Sequence, residues 1–307
     1  MNTSDKPTAI QVNNLTKVYD RSLAVNNLTL NIKKGEIFGF LGPNGAGKTT
    51  TIKAMLGLIF ATHGNVNIYG YDIHRYAKYV KKYVGYLPEK VAFYDNLTGL
   101  QNLHFYAELK NVPKSECYQL IKEMGLGDDL NKKVGKYSKG MLQRLGMARA
   151  ILGTPPILIL DEPSGGLDPR GVKLIRDKIK QLNQAGVTIF ISSHILSEIQ
   201  AVCTQVGIIN KGVLVAQDTV GVLSKNLQIK PRMILEITNL SEKIIQAVHG
   251  IEGVEKIEVI SNKLEVFCLP ESRAKVVIEV YKTGGNIVNI QTEEASLEDV
   301  FMKFTEG

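Results

Sequence analysis

EIFGFLGPNGAGKTT, residues 36–50, decides the fold. The run Ile37–Leu41 is uncharged and apolar, as a buried strand is. Glycines at 42, 45 and 47 then interrupt it, and Lys48, Thr49 and Thr50 open a helix expected to run to about Ile59. Gly42, Pro43, Asn44, Gly45, Ala46, Gly47, Lys48 and Thr49 match G-x-x-x-x-G-K-[ST] in full. In such a strand–loop–helix unit, backbone N–H groups close around a polyphosphate and the helix dipole adds to the attraction. Lys48 neutralises the β- and γ-phosphates, and Thr49 offers a hydroxyl to Mg2+.

Two further strands supply what a phosphate loop lacks. PPILILDEP (155–163) is apolar until it ends in Asp161 and Glu162. Adjacent carboxylates closing a buried strand are costly unless a cation is near. Asp161 is placed to hold Mg2+, and Glu162 to polarise a water for attack on the γ-phosphate. GVTIFISSH (186–194) is β-branched and ends in His194, which is placed to reach the γ-phosphate, with a purely structural histidine as the alternative. Buried strands separated by helices imply a parallel sheet in an α/β domain. Residues 8–31 alternate and carry turn signals, so they read as antiparallel strands. From about 92 to 150 the pattern is helical.

The 307 residues suffice for one full domain and a small second one. No stretch approaches ~18 uncharged apolar residues, the length of a membrane-spanning helix. The opening MNTSDKPTAI lacks a signal-peptide core, so a cytosolic chain is expected. Lys and Arg exceed Asp and Glu by seven, but the lysines are dispersed. That suits a solvated basic surface, and no nucleic acid is expected as partner. Cys117, Cys203 and Cys268 lie far apart and read as core residues.

Beyond Gln217 the glycine motifs stop. An ATPase-like domain over 8–222 is expected, then a linker at 223–231 and an accessory domain at 232–307. That last part reads β-α-β-β-α-β, the ferredoxin-like order, with helices ending at Gly250 and Gly284. A terminal helix is expected from Ser296.

YSKGM, at 137–141, starts another helix with a serine and a glycine and no nearby acid. That too is a way to offer backbone N–H groups to an anion. With the phosphate loop, LILDEP, SGGLDP and ISSH, it completes an order and spacing that resembles an ABC-transporter ATPase subunit from about residue 8 to 220. The resemblance implies a P-loop NTPase cassette: a mixed-sheet core, an antiparallel β subdomain and a helical subdomain at 92–150. It implies ATP and Mg2+ as ligands, with Tyr19 stacking on adenine and Gly42 to Thr50 holding phosphates. Catalysis would fall to Glu162, His194 and Lys48, and metal binding to Thr49, Asp161 and Glu89. It further implies a homodimer glued by ATP, in which Ser138, Lys139 and Gly140 reach the nucleotide of the second copy and Asp168 lies in the crossing loop. A separately encoded permease would dock near Phe93, Tyr94, Leu97 and Leu100, placing the chain on the inner face of the cell membrane.

Two positions depart from the family pattern. Lys139-Gly140-Met141 stands where many members carry Gly-Gly-Gln, and Glu89 stands where glutamine is usual. The tail, ending SLEDVF, resembles exporter ATPases that handle drugs, sodium or copper. GYLPEKVAFY and YSKGMLQRLGMA resemble the ATPase of nitrous-oxide-reductase maturation. Two other readings stand beside transport. One is a soluble ABC-type ATPase acting on ribosomes or nucleic acid, which usually carries two cassettes. The other is a low-turnover nucleotide-binding regulator, kept open by Glu89.

Overall fold

The computed structural model describes residues 6–226, 232–293 and 297–305. The chain divides into two compact units at Asp218/Thr219. In the first, β1 (Thr8–Tyr19) and β2 (Ser22–Lys33) form a long antiparallel hairpin. β3 (Ile37–Leu41) follows and leads through the glycine loop into α1 (Lys48–Met55). Next come β4 (His63–Ile68), β5 (Tyr71–Asp72), α2 (Ala77–Val80) and β6 (Val84–Leu87). Three helices occupy the expected helical stretch: α3 (Gly99–Lys110), α4 (Lys114–Glu123) and α5 (Lys139–Ile151). The unit closes with β7 (Ile157–Asp161), α6 (Pro169–Gln184), β8 (Thr188–Ser193), α7 (Leu196–Val202), β9 (Gln205–Asn210) and β10 (Val213–Asp218).

These strands make two sheets, ordered β2-β1-β4-β5 and β10-β9-β3-β8-β7-β6. The first is antiparallel; the second is parallel except for its β9–β10 edge. Every residue of β3, β7 and β8 is buried, which is why their sequences do not alternate. The main core fills the space between the sheets. Phe38 and Phe40 of β3 meet Phe190 of β8 at ring separations of 5.9 and 5.4 Å.

α1 ends at Met55, short of the expected Ile59. Gly57 takes φ +62°, the Gly57 N–H bonds to Ala54 O, and the Leu58 N–H bonds to Lys53 O. This paired closure uses up the last carbonyls and stops the helix. The short β4 and β5 strands and the β9–β10 hairpin carry no signal in the sequence reading.

In the second unit, α8 (Val220–Asn226) takes up the first part of the expected linker, whose remainder, 227–231, lies outside the described residues. β11 (Arg232–Ile237), α9 (Glu242–His249), β12 (Val254–Ile260), β13 (Lys263–Cys268), α10 (Arg273–Lys282) and β14 (Ile287–Glu293) then follow in β-α-β-β-α-β order. The sheet order β12-β13-β11-β14 is the ferredoxin-like arrangement, antiparallel throughout. Gly284 has the left-handed φ (+88°) that the helix-end reading implies. Gly250 does not; its φ is −75°. α11 (Leu297–Thr305) completes the unit, and Ser296 lies outside the described residues. Cys117 and Cys268 are buried and Cys203 partly so; burial pushes all three thiols up.

Candidate nucleotide site

Strand register brings the motifs together. Leu41, the last residue of β3, pairs with Ser193, and Asp161, the last of β7, pairs with Ser192. The glycine loop, Asp161-Glu162 and Ser193-His194 therefore leave the same edge of the sheet side by side. The carboxyl edge of a parallel sheet is where α/β folds hold ligands.

The loop is built for close approach. Gly47 has φ +108°, and a Cβ there would lie 2.6 Å from Ala24 O. No side chain caps α1 and no acid stands in its first turn, so its leading N–H groups face the cleft. Pro43, Asn44, Gly45, Gly47, Lys48, Thr49 and Thr50 line that cleft. Gly42 and Ala46 brace it from behind: a Cβ on Gly42 would meet Ile209 O at 2.5 Å, and Ala46 O accepts from the Gly212 N–H at 3.0 Å. Lys48 is buried, and its Nζ donates to Gly42 O at 2.6 Å and Pro43 O at 3.3 Å. Burial pushes its pKa down, and the charges of Glu162, Asp161 and Glu89 pull it back up.

Asp161 is 1% exposed. The Ser192 hydroxyl donates to Oδ1, and Thr49 Oγ1 lies 3.5 Å from Oδ2. Burial raises the pKa of this carboxyl. The Ser192 hydrogen bond and Lys48 oppose the rise, while Glu89 and Glu162 add to it. A hydroxyl and a buried, under-compensated carboxylate are hard oxygen donors, and that set fits Mg2+, which takes few protein ligands and fills its shell with water and phosphate. Among the described residues no three His, Cys, Asp or Glu side chains cluster as a metal cage. Glu89 lines the same cleft.

Glu162 is held in the left-handed region at φ +51°, a strain of about 1–3 kcal/mol for a non-glycine residue. Its N–H bonds to Ser192 O at 3.1 Å and Ser192 Oγ at 3.3 Å. Its carbonyl accepts from Gln143 Nε2 at 3.1 Å, which also donates to Pro163 O. This turn aims the side chain back into the cleft. Oε2 lies 2.8 Å from His194 Nδ1, and Oε1 lies 3.9 Å from Lys48 Nζ. The arrangement holds a carboxylate between a lysine and a histidine beside a phosphate-sized cradle, suited to positioning a water. Gln143 escapes the sequence reading, although a glutamine on the buried face of α5 is the signal that finds it.

The remaining candidates sit elsewhere or at the margin. Tyr19 ends β1, is 42% exposed, and has Lys17 Nζ 4.8 Å from its ring centre; it does not line the cleft. Ser138 caps α5, its Oγ accepting from the Met141 N–H at 3.2 Å. Lys139 lines the cleft of its own chain, a placement the sequence reading did not anticipate. Gly140 packs on the glycine turn, where a Cβ would lie 3.3 Å from Gly166 O. Asp168 caps α6 by accepting from the Gly171 N–H at 2.9 Å.

The comparisons with known proteins agree with this geometry. A family model described as "ABC transporter" matches residues 25–165. The bacitracin transport ATP-binding protein BcrA of Bacillus licheniformis is 38% identical over 302 residues, 98% of each chain. The linearmycin resistance ATP-binding protein LnrL of Bacillus subtilis is 30% identical over 304 residues, 96% of this chain and 98% of that one. Among solved structures, an ATP-binding subunit of an ABC transporter superposes with a TM-score of 0.68 at 29% identity, covering 72% of this chain and 94% of its own. A dimeric bacterial ABC transporter cassette gives 0.65 at 25% identity, covering 68% and 98%. The chain belongs to the ATP-binding subunits of ABC transporters.

Proposed function

We propose that this subunit energises export through a separately encoded membrane permease, working as a homodimer that MgATP closes and hydrolysis reopens. The observation that carries the reading is the convergence of Lys48, Thr49, Asp161, Glu162 and His194 on one cleft. Thr49 and Asp161 would hold Mg2+, which would supply positive charge for the β- and γ-phosphates. Lys48 leaves the Gly42 and Pro43 carbonyls to meet phosphate oxygens. Glu162 orients the attacking water, and His194 fixes the carboxylate's direction. Tyr19 contributes the open face of its ring to adenine. Ser138 and the N–H groups after it face the partner copy's nucleotide, with Asp168 at the crossing. That role is supported by the exposure of Ser138 and by the relative solved as a dimer.

The drug-handling branch is supported by the names of the relatives: bacitracin transport and linearmycin resistance. These names lend nothing to the nitrous-oxide-reductase reading. A compound of the bacitracin or linearmycin kind is therefore the proposed cargo class. The permease would dock beside Phe93, Tyr94, Leu97 and Leu100. The low-turnover alternative keeps one supporting observation: Glu89 adds negative charge that raises the Asp161 carboxyl.

Steady-state hydrolysis of MgATP by the purified chain tests the reading. Turnover that vanishes in Lys48→Ala together with nucleotide binding is the expected result. Unchanged ATP affinity in that variant would remove the phosphate-loop assignment. Turnover at background level in the wild type, with binding intact, would favour the regulator.

A further inference from the structure

The stretch YGYDIHRYAKYVKKY, residues 69–83, plays no part in the nucleotide site. From Ile37 to Pro88 the chain carries one acidic residue, Asp72, against Lys48, Lys53, Arg75, Lys78, Lys81 and Lys82. Asp72 is turned inward, its Oδ1 accepting from the His74 and Arg75 N–H groups at 3.0 and 2.8 Å. Arg75, Lys78, Lys81 and Lys82 are exposed while Asp72 is half-buried, so this stretch carries a net positive surface.

It is also aromatic. Tyr69, Tyr83, Tyr79, Tyr71 and Tyr76 form one continuous chain of edge contacts, with ring centres 5.0–5.7 Å apart. Tyr71, Tyr76 and Tyr79 are 40–45% exposed, and Arg75 lies over the Tyr76 ring at 5.8 Å. Beside them Phe60, 73% exposed, stacks on His74 at 4.3 Å, and Leu58 is 57% exposed. Lys78, Lys81 and Lys82 are all exposed.

We propose that this tyrosine–lysine face rests on anionic lipid headgroups. The inference rests on the transporter reading, which sets the chain beside a membrane. Chemistry distinguishes the lipid surface from nucleic acid. Single strands bind aromatic residues by stacking bases on open ring faces. Here the tyrosines meet one another edge to face, Arg75 lies over the Tyr76 ring, and the Tyr83 hydroxyl bonds to that of Tyr79 at 2.6 Å, so no row of parallel open faces is presented. What remains outward is phenol rims, lysine ammonium groups and two apolar prongs. That combination suits the headgroup layer, where amphipathic rings sit at the boundary and cations meet phosphate.

Co-sedimentation of the full chain with vesicles tests this, using phosphatidylglycerol-rich vesicles against pure phosphatidylcholine. The wild type should bind the first, release on raising salt, and ignore the second. The combined substitution Lys78→Gln, Lys81→Gln and Lys82→Gln should weaken binding by about 100-fold, on the order of fivefold per lysine lost, while MgATP turnover stays at the wild-type level. Equal binding to both vesicle types, no binding by the wild type, or an unchanged triple variant would overturn the inference. So would tight binding of single-stranded RNA that the triple variant loses, since that marks a nucleic-acid surface. Turnover is read in the same samples: intact turnover without vesicle binding overturns the lipid contact alone, whereas absent turnover in the wild type strikes the ATPase reading itself.

Discussion

His194 Nδ1 stands 2.8 Å from Glu162 Oε2, and the two residues reach each other from the ends of neighbouring strands. A carboxylate aimed by an imidazole works as a unit, so the two side chains should not contribute independently. Glu162→Gln should lower turnover by roughly 10²–10⁴-fold, the usual share of a general base, and should trap an ATP-bound dimer on size exclusion. His194→Ala should lose most of the same factor while ATP affinity changes little. The double variant should be hardly slower than the worse single one. Multiplicative losses would show that the 2.8 Å contact is incidental. A Glu162→Gln protein that stays monomeric in saturating MgATP would remove the ATP-closed homodimer.

Asp161 makes a different, pH-dependent forecast. Burial raises its folded pKa above the ordinary aspartate value. A carboxyl shifted that way favours the native state while protonated and gives up that stability as pH rises through the folded pKa. Asparagine at 161 would not titrate. Asp161→Asn should therefore match the wild type in acid and melt higher near neutrality, by on the order of 1 kcal/mol or ~2–4 °C. Added MgATP should stabilise the wild type and leave the variant behind. A melting-temperature gap that narrows from acid to neutral pH would contradict the assigned direction.

Gln143 ties α5 to the strained turn at Glu162. Its Nε2 serves Glu162 O and Pro163 O, and both carbonyls lose that donor in Gln143→Leu, a change of similar volume. The stability cost should be about 1–3 kcal/mol. If the bonds also aim Glu162, kcat should fall while KM for ATP barely moves. Loss of melting temperature with kcat unchanged would confine Gln143 to a structural role.

These residues differ in how readable they were. The phosphate loop, Asp161 and Glu162 carry their chemistry in contiguous words, and an all-apolar strand next to glycines or acids has few competing folds. The ferredoxin-like order in the second unit was legible for a similar reason: each strand alternates or is β-branched and each helix is closed by turn residues. β4 and β5 were not, because HGNVNI buries only Val66 and Ile68 and opens on three exposed residues, too short an alternation to mark a strand, and YD is a two-residue strand at the sheet's edge. Gln143 and the Lys139 placement depend on contacts between segments 19 or more residues apart, which no local pattern encodes. The end of α1 hinged on a single left-handed glycine, Gly57, inside an otherwise helical run.

Ser138 offers the sharpest separation of two roles. Within one chain it is an N-cap, bonded to the Met141 N–H at 3.2 Å. Ser138→Ala should cost about 1 kcal/mol of stability for the cap alone. Aspartate caps a helix as well as serine does, so Ser138→Asp should keep that stability. Its carboxylate would, however, confront the γ-phosphate of the partner's ATP and repel it. The expected result is a protein as stable as the wild type that binds ATP normally yet neither dimerises nor turns over, read by thermal melts, nucleotide titration and light scattering on one preparation. A Ser138→Asp protein that still dimerises on MgATP would reduce this serine to its cap.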